Sequence, residues 1–535
     1  MNRPDVRTLQ QRIDRIFAAA APPGAPGCVV GVQLGGEVLF RGAYGLASLE
    51  QALPLAPRSR FRIASVSKQF TVTAVLLLAA KGRLKLDDEV HVHVPELAPL
   101  SHPVTLEQLM RNTSGLPDFL EMLRLGGVGL DARIDRATML RCIASNRHLS
   151  FAPGSRFLYS NSNFLLLGLV VERLAGCNLG DFLQQQVFGP LDMRDTVLEL
   201  ACDTPLPGLA TPYVADAQGR WRRALHGFEH GGEGGLVSTV DDLLIWMREL
   251  SRAAPGKLPA GLLAQLTSPT RLTAGRPSPY ARGLEHSLLD GRPCVGHGGL
   301  WPGYRTELLH VADAGLSVAV ISNCGASNPF RLAREVARAV LAPQESACAP
   351  ALPAADGMLG SWLCPEVPAL FDLSLHDGEL CATQWGVPFI LQPQGNDRWL
   401  PLRGAYEFTL RRIDANTLRV DLGAGQEVAF ERCVAREPPP QDLAGCYRCA
   451  DIGAEWQIEA APGDAHWSVR LSGPHARGVE WQLHGLQQDL VEVRGFSSGM
   501  PVAQLARAQR DAAGRIAALC VYSSRIRELR FARVQ

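Results

Sequence analysis

Apolar positions along the chain follow two different rhythms. Through roughly the first 340 residues, strand-like stretches alternate with helical ones. Gly27–Leu34 ("GCVVGVQL") and Glu37–Ala43 ("EVLFRGA") flank Gly35-Gly36, the pattern of a β-hairpin. A long apolar helix is expected from Ser65 to about Lys81, closed by Gly82 as a C-cap. Further helices are expected to begin at Thr105 ("TLEQLM"), near Asn163 ("NFLLLGLVVERLAG") and at Ser238 ("STVDDLLIWMREL"). In the last of these, Ser238 with Asp241 and Thr239 with Asp242 both fit a capping box. Strands return at Glu307–His310 and Leu316–Ser322. Strands at both ends with helices between predict an α+β fold, an antiparallel sheet with a helical region beside it.

Beyond this region the period shortens to that of strands. Two Pro/Ala-rich stretches, Ala342–Ala355 and Ala435–Gln441, read as linkers. The segments that follow them begin alike, "LGSWL" at Leu359–Leu363 and "LAGCY" at Leu443–Tyr447. They also end alike, "EVAFERC" at Glu427–Cys433 and "ELRFARV" at Glu528–Val534. Short alternating strands with Gly and Asp turns predict a duplicated small antiparallel β-barrel. The expected domains are residues 1–342, 356–434 and 442–535. Few contacts are expected across the second linker, so a chain cut there is expected to stay soluble.

Composition narrows the setting. Of 535 residues, 46% are hydrophobic and 20% charged, as in a globular protein. Lys+Arg and Asp+Glu number 53 each, which argues for neither a nucleic-acid nor a membrane-surface partner. The N-terminal stretch mixes acids and bases and reads as an amphipathic helix, not a signal peptide. The longest apolar run, Ala74–Ala80, is too short to span a bilayer. Thirteen scattered cysteines suit a reducing compartment, so a cytoplasmic protein is expected. Three patterns resemble metal ligands without completing a site. Cys446 and Cys449 form a lone C-x-x-C with no second pair. "HGFEH" (His226–His230) has zinc-protease spacing but carries Gly227 where a regular helix is needed. "HVHV" (His91–Val94) has no third ligand in view and reads as an exposed loop.

The candidate chemistry lies in three short stretches. In "FRIASVSKQF" (Phe61–Phe70), Ser65 and Lys68 stand three apart, close enough on a helix to hydrogen-bond. A serine hydroxyl attacks only when a base takes its proton, and Lys68 can be that base once burial or a nearby cation lowers its pKa. "FAPGSRFLYSNSNF" (Phe151–Phe164) adds Tyr159, a possible proton relay, and Asn161, whose amide can hold a substrate carbonyl. "GHGGLWPGY" (Gly296–Tyr304) places His297 beside Gly298 and Gly299 ahead of a strand, where backbone N–H groups are accessible to a substrate.

With "LKLDDEVHVHVPEL" (Leu84–Leu97), "VTLEQLMRNTSGL" (Val104–Leu116) and "GGEGGLVSTVDDLLIW" (Gly231–Trp246), these motifs resemble the penicillin-recognising serine hydrolases. That group comprises class C β-lactamases, D-alanyl-D-alanine carboxypeptidases, related esterases and D-aminopeptidases. The D-aminopeptidase branch is the most similar, since it too has "SVSKQF", a His-x-Gly motif and two C-terminal eight-stranded barrels. The resemblance implies a β-lactamase/transpeptidase-like domain and an acyl-enzyme on Ser65, with Lys68 as proton donor and acceptor. It further implies Tyr159 as relay at the leaving group, Asn161 as orienter, and the N–H groups of Ser65 and Leu300 as oxyanion hole. Whether Lys68 or Tyr159 is the acylation base stays open. His297 stands where β-lactamases carry a Lys, and a mostly neutral His selects a substrate carboxylate less strongly. No metal or organic cofactor is implied. The implied partner is a small peptide, amide or ester substrate, and a homodimer is one assembly the resemblance allows.

In that branch a loop of the last barrel reaches the site to help hold the substrate amine. Its counterpart here lies in Arg494–Gln504, with Gly495, Phe496, Ser497, Ser498, Gly499 and Met500 as candidate specificity residues. This stretch has no Asp or Glu, so either another acid such as Glu492 or Asp118 serves the amine, or the substrate has none. An esterase or a β-lactamase/carboxypeptidase-like hydrolase is the alternative within this chemistry. A penicillin-binding sensor that acylates with little turnover is the alternative outside it.

Overall fold

The structure, a computed structural model, describes residues 6–341 and 357–534. Interior stretches at 98–99, 217, 253–255, 260, 279, 365, 377, 385–386, 396, 402–407, 422–426, 434–435, 461–465 and 498–499 lie outside the description. The first linker falls wholly outside it.

The first region, residues 6–341, is organised by one six-stranded antiparallel sheet. Its strands are β1 (Cys28–Leu34), β2 (Glu37–Tyr44), β3 (Glu285–Leu289), β4 (Arg292–Trp301), β5 (Tyr304–Val311) and β6 (Leu316–Ser322). Their order across the sheet is β3-β4-β5-β6-β1-β2. The two chain ends of the region thus meet at its centre, with Val30 opposite Val320 and Gly31 opposite Ala319. β1 and β6 are apolar at nearly every position because helices cover both faces. On one face lie α1 (Val6–Ala20) and, from the end of the region, Pro329–Leu341. On the other lie α2 (Lys68–Ala80) and the helix Val240–Leu250. Gly31 is required there, since a Cβ would stand 2.3 Å from Val240 Cγ1.

The helical region stands beside this sheet. α2 is buried on all sides from Lys68 to Leu78, with its polar residues Lys68, Gln69, Thr71 and Thr73 buried along with the apolar run that follows. It packs against α4 (Asn161–Ala175), which in turn meets α3 (Phe119–Leu125), within one continuous core. The helix expected to begin at Thr105 does so, with Thr105 and Gln108 forming a full capping box. Of the two caps expected near Ser238, Thr239 makes the bond to Asp242 N, whereas Ser238 ends a strand. His91 and His93 sit on a one-turn helix (Val90–His93), not a loop, with His93 Nε2 3.0 Å from Asp88 Oδ2.

Two closed eight-stranded barrels follow, their strands running from Gly360 to Arg432 and from Gly445 to Arg533. Their duplication shows in individual contacts. Gly360 and Gly445 open the first strands with positive φ, of 120° and 146°. Against each lies the closing strand's arginine, Arg432 or Arg533. That arginine stacks on the first strand's aromatic ring, Trp362 in one barrel and Tyr447 in the other. Each ring in turn donates four residues back, Trp362 to Met358 O and Tyr447 to Leu443 O.

The second barrel is not loosely appended. Its core residues, among them Tyr447, Trp456, Leu471 and Phe531, belong to the same buried cluster as α2, α3 and α4. The Trp456 indole donates to Leu125 O at 2.8 Å, and Gly127 (φ 80°) lies so close that a Cβ would meet Leu471 O at 2.8 Å. A cut near Ala435–Gln441 therefore bares a large apolar seam, and the expectation of a soluble truncated chain is replaced by its opposite. A chain ending at residue 436 is expected to aggregate. Trp456→Ala in the full chain is expected to cost about 3–5 kcal/mol in denaturant unfolding. Recovery of the truncated chain as a soluble monomer by gel filtration would show that the seam is not stabilising.

Candidate active site

The candidate nucleophile is delivered by a short strand and a strained turn. Phe61–Arg62 pairs with Leu236–Ser238, and Ile63 N donates to Leu236 O. Ala64 then adopts φ of 48°, a left-handed conformation costly for a residue with a Cβ. The chain enters a 3₁₀ turn over Ala64–Ser67, and the α-helix begins only at Lys68. The helix expected from Ser65 is thus split. In a 3₁₀ turn residues three apart eclipse each other, which sets Lys68 directly over Ser65.

Lys68 is completely buried, and its Nζ touches three oxygens. Ser65 Oγ lies at 3.0 Å, Asn161 Oδ1 at 2.8 Å and Glu233 O at 2.6 Å. An ammonium donates to all three. A neutral amine has two N–H bonds and one lone pair. The two carbonyl oxygens cannot donate, so the N–H groups go to them and the lone pair faces the Ser65 hydroxyl. Asn161 presents its oxygen, not its nitrogen, because Nδ2 donates to Asp118 Oδ2 at 2.8 Å. Burial pushes Lys68 down to about 7, against the pull of Glu233 and with help from Arg525.

Asp118 is the anchor of this arrangement. It is fully buried and caps α3, accepting from Leu120 N and Glu121 N, while its other oxygen accepts from Asn161 N and Nδ2. Tyr159 closes the group. Burial raises the pKa of its hydroxyl, while Arg525 and the neighbouring Ser65 hydroxyl oppose the rise. Its ring centroid lies 4.9 Å from Lys68 Nζ and 5.0 Å from Arg525 Cζ.

Ser65, Asn161 and Leu300 open onto one cavity of about 340 Å³. Its far wall is the second barrel: Val502–Gln504 on one strand and Ser523–Arg525 on the loop between the last two strands. Gln504 Nε2 donates to Glu121 Oε2 across this boundary. The carboxylates lining the cavity are Glu121, Glu229 and Glu233, all from the catalytic region.

Ser65, Lys68, Tyr159 and Asn161 converge as the sequence pattern implied. The other expected residues divide. Leu300 lines the cavity and is half exposed. His297 is buried behind it, Nδ1 2.6 Å from Gly298 O and Nε2 3.1 Å from the Tyr280 hydroxyl, with its ring 6.1 Å from that of Tyr159. It supports the Tyr159–Tyr280 pair from inside and does not face the cavity. Gly299 is needed for close approach, since a Cβ would stand 2.2 Å from Ile63 O. Of the candidate specificity loop, Gly495 and Phe496 line a different cavity, between the barrels, and Ser497 is buried. Ser498 and Gly499 lie outside the described residues, and Met500 opens the return strand. Glu492 also faces the inter-barrel cavity, paired with Arg436 and Arg494 at 2.6 and 2.8 Å.

Arg525 and Glu233 are the residues that sequence reasoning missed. Glu233 lay within a quoted motif but carried no separate signal, and Arg525 meets Asp118 across 407 residues. The "HGFEH" histidines pack against Trp301 instead of forming a metal site, and burial drops His226 to about 3. Among the described residues, no group of three or more His, Cys, Asp or Glu is placed to hold a metal ion.

Comparison with known proteins gives the family of the chain. Residues 13–342 match the family described as Beta-lactamase. A D-aminopeptidase of Gluconobacter oxydans is 30% identical over 458 residues, covering 82% of this chain and 83% of that one. A D-aminopeptidase of Brucella ovis is 28% identical over 515 residues, covering 94% of this chain and 95% of that one. Among solved structures, a D-stereospecific amidohydrolase from Streptomyces sp. superposes with a TM-score of 0.52 at 25% identity, covering 64% of this chain and all of that one.

The contact of Gly299 with the turn before Ser65 yields a direct test. In Gly299→Ala, β4 must move away from Ile63, at a cost of about 1–3 kcal/mol. A displacement of this kind at the nucleophile is expected to lower kcat on the order of a hundredfold, measured on the best available amide or ester. Wild-type rates in that variant would show that β4 does not position the nucleophile.

Proposed function

The chain belongs to the beta-lactamase family, and we propose that it is a D-aminopeptidase that cleaves through an acyl-enzyme on Ser65. It releases the N-terminal D-residue from small peptides, amides or esters. The observation that carries the chemistry is the buried Lys68 amine, held by two carbonyl oxygens with the Ser65 hydroxyl as its third neighbour. The D-aminopeptidases matched over most of both chains support the substrate class.

In this reading, the Ser65 proton passes to Lys68, directly or through Tyr159, as Oγ bonds the substrate carbonyl carbon. Negative charge develops on the carbonyl oxygen and is met by the N–H groups of Ser65 and Leu300, which line the same cavity. The C–N or C–O bond then breaks, and the leaving group takes the proton through Tyr159. Water enters, gives its proton to the same relay and bonds the acyl carbon. Ser65 recovers its proton as the D-amino acid leaves. The charged amine of the substrate has Glu121, Glu229 and Glu233 in the cavity wall to meet it. No acid from the Gly495–Met500 hairpin is needed for that.

Among the described residues, no single helix is long and apolar enough to cross a membrane. All described cysteines are free thiols, which supports a cytoplasmic setting.

A panel of D- and L-aminoacyl amides, run beside nitrocefin and p-nitrophenyl esters with mass detection of the acyl-enzyme, tests the reading. D-aminoacyl amides are expected to turn over and to leave an acyl mass on the Ser65 peptide. Exclusive hydrolysis of esters, or stable penicillin labelling without turnover, would overturn it. Ser65→Ala is expected to lose more than about 10³-fold in kcat. Lys68→Arg, which keeps charge but cannot deprotonate, is expected to lose at least about a hundredfold.

The pH profile carries a sign. Lys68 accepts a proton only when neutral, and burial brings it down to about 7. kcat/KM is therefore expected to rise with pH through about 7 and to fall about tenfold per unit below it. A flat profile between pH 5 and 9 would exclude Lys68 as the group that titrates.

A further inference from the structure

The second barrel reaches the catalytic group by a route distinct from the hairpin at Gly495–Met500. Its last two strands, Ile516–Tyr522 and Leu529–Arg533, are joined by a tight turn. In it Ser523 N donates to Ile526 O at 2.9 Å, and Ser523 Oγ accepts from Arg525 N at 3.2 Å. This turn projects Arg525 into the Ser65 cavity. Arg525 clamps Asp118 twice: its Nη1 lies 3.4 Å from Oδ2, and its carbonyl oxygen accepts from Asp118 N at 3.4 Å. From Asp118 the contacts run without a gap to Asn161 (2.8 Å), Lys68 (2.8 Å) and Ser65 (3.0 Å). The guanidinium also lies 5.0 Å from the centre of the Tyr159 ring.

We propose that Arg525 is a positioning residue for the proposed hydrolase, one that the second barrel supplies to hold Asp118 and to disfavour a second positive charge at Lys68. The inference rests on Lys68 serving as the base in the reaction proposed above. Geometry explains the need for it. The charged groups acting on Lys68 are Glu233 and Asp118 from loops of the helical region, Glu285 from β3, and Arg525. The three carboxylates all favour the ammonium, which cannot take the Ser65 proton. Burial and Arg525 oppose them. Arg525 also occupies one oxygen of Asp118, which shields the carboxylate that stands nearest to Asn161. The barrel is thereby part of the catalytic apparatus, and undocking it would leave Lys68 charged at neutral pH.

The test is the pH dependence of kcat/KM in the full chain, on whichever substrate the panel above shows to be turned over. Arg525→Gln removes the cation. The acidic limb is expected to move up by about half to one pH unit, a loss of about three- to tenfold near pH 6.5 that is recovered near pH 9. Arg525→Lys restores a charge and is expected to bring the limb back toward the wild-type position. Should the glutamine variant melt early, Arg525→Met keeps the packing on Tyr159 and gives the same readout. An equal loss at every pH would mean that Arg525 only holds the barrel in place, and the proposal falls.

A second substrate pair excludes a direct substrate contact. If D-Ala-Gly and D-Ala-glycinamide change in ratio with Arg525, the arginine binds the leaving group's carboxylate and the proposal is again overturned. Failure of the D-aminopeptidase reading would look different: esters alone would be hydrolysed, while the limb would still shift.

Discussion

The structure is arranged around one buried nitrogen. Taking an ammonium out of water is costly, and Lys68 sits at zero exposure beside the nucleophile. A buried lysine has two ways to persist: pairing with a carboxylate at contact distance, or losing its proton. Here its contacts are a hydroxyl and two carbonyls, with the carboxylates of Asp118 and Glu233 held one step away. That arrangement satisfies the amine without locking it in the charged form. Asp118 acts on Lys68 both through its own charge and through the Asn161 amide, whose orientation it fixes.

This constraint explains several features that are otherwise unrelated. The left-handed Ala64 and the 3₁₀ turn set Ser65 under the amine. Gly299 lets β4 come close enough to support that turn, and Gly31 lets the helix Val240–Leu250 settle on the sheet behind it. His297, buried against Tyr280, steadies the aromatic side of the site. Each of these positions trades local freedom for the placement of a few oxygens around Nζ.

The two barrels arose from one pattern and serve different ends. They share the opening glycine, the closing arginine and the back-bonded aromatic ring. The first keeps its own core and meets the second through a small cluster that includes Leu363, Leu370 and Leu490. The second fuses its core with that of the helical region and walls the cavity. Its hold on the catalytic region is therefore a matter of packing as much as of the Arg525–Asp118 contact. Closed barrels have no free sheet edges, so such a module can be repeated along a chain without inviting strand-to-strand association.

Local patterns in the sequence determined what depends on neighbours a few residues apart. The Ser65–Lys68 spacing, the helix start at Thr105, the β1–β2 hairpin and the repeated barrel ends are all set within short windows, and all are found in the structure. The Tyr159 and Asn161 pair was legible because it stands at a helix start, where a loop side chain has a fixed direction. Only the tertiary structure decided the rest. Whether His297 faces substrate or core depends on Tyr280, and whether the Gly495–Met500 hairpin or the Arg525 turn reaches Ser65 depends on how a whole barrel is docked. That docking is set by an apolar seam made of Leu125, Trp456 and Leu471, residues that read in sequence as ordinary core. Hydrophobic burial has no direction, so the sequence could show that such residues must be covered, but not by which surface.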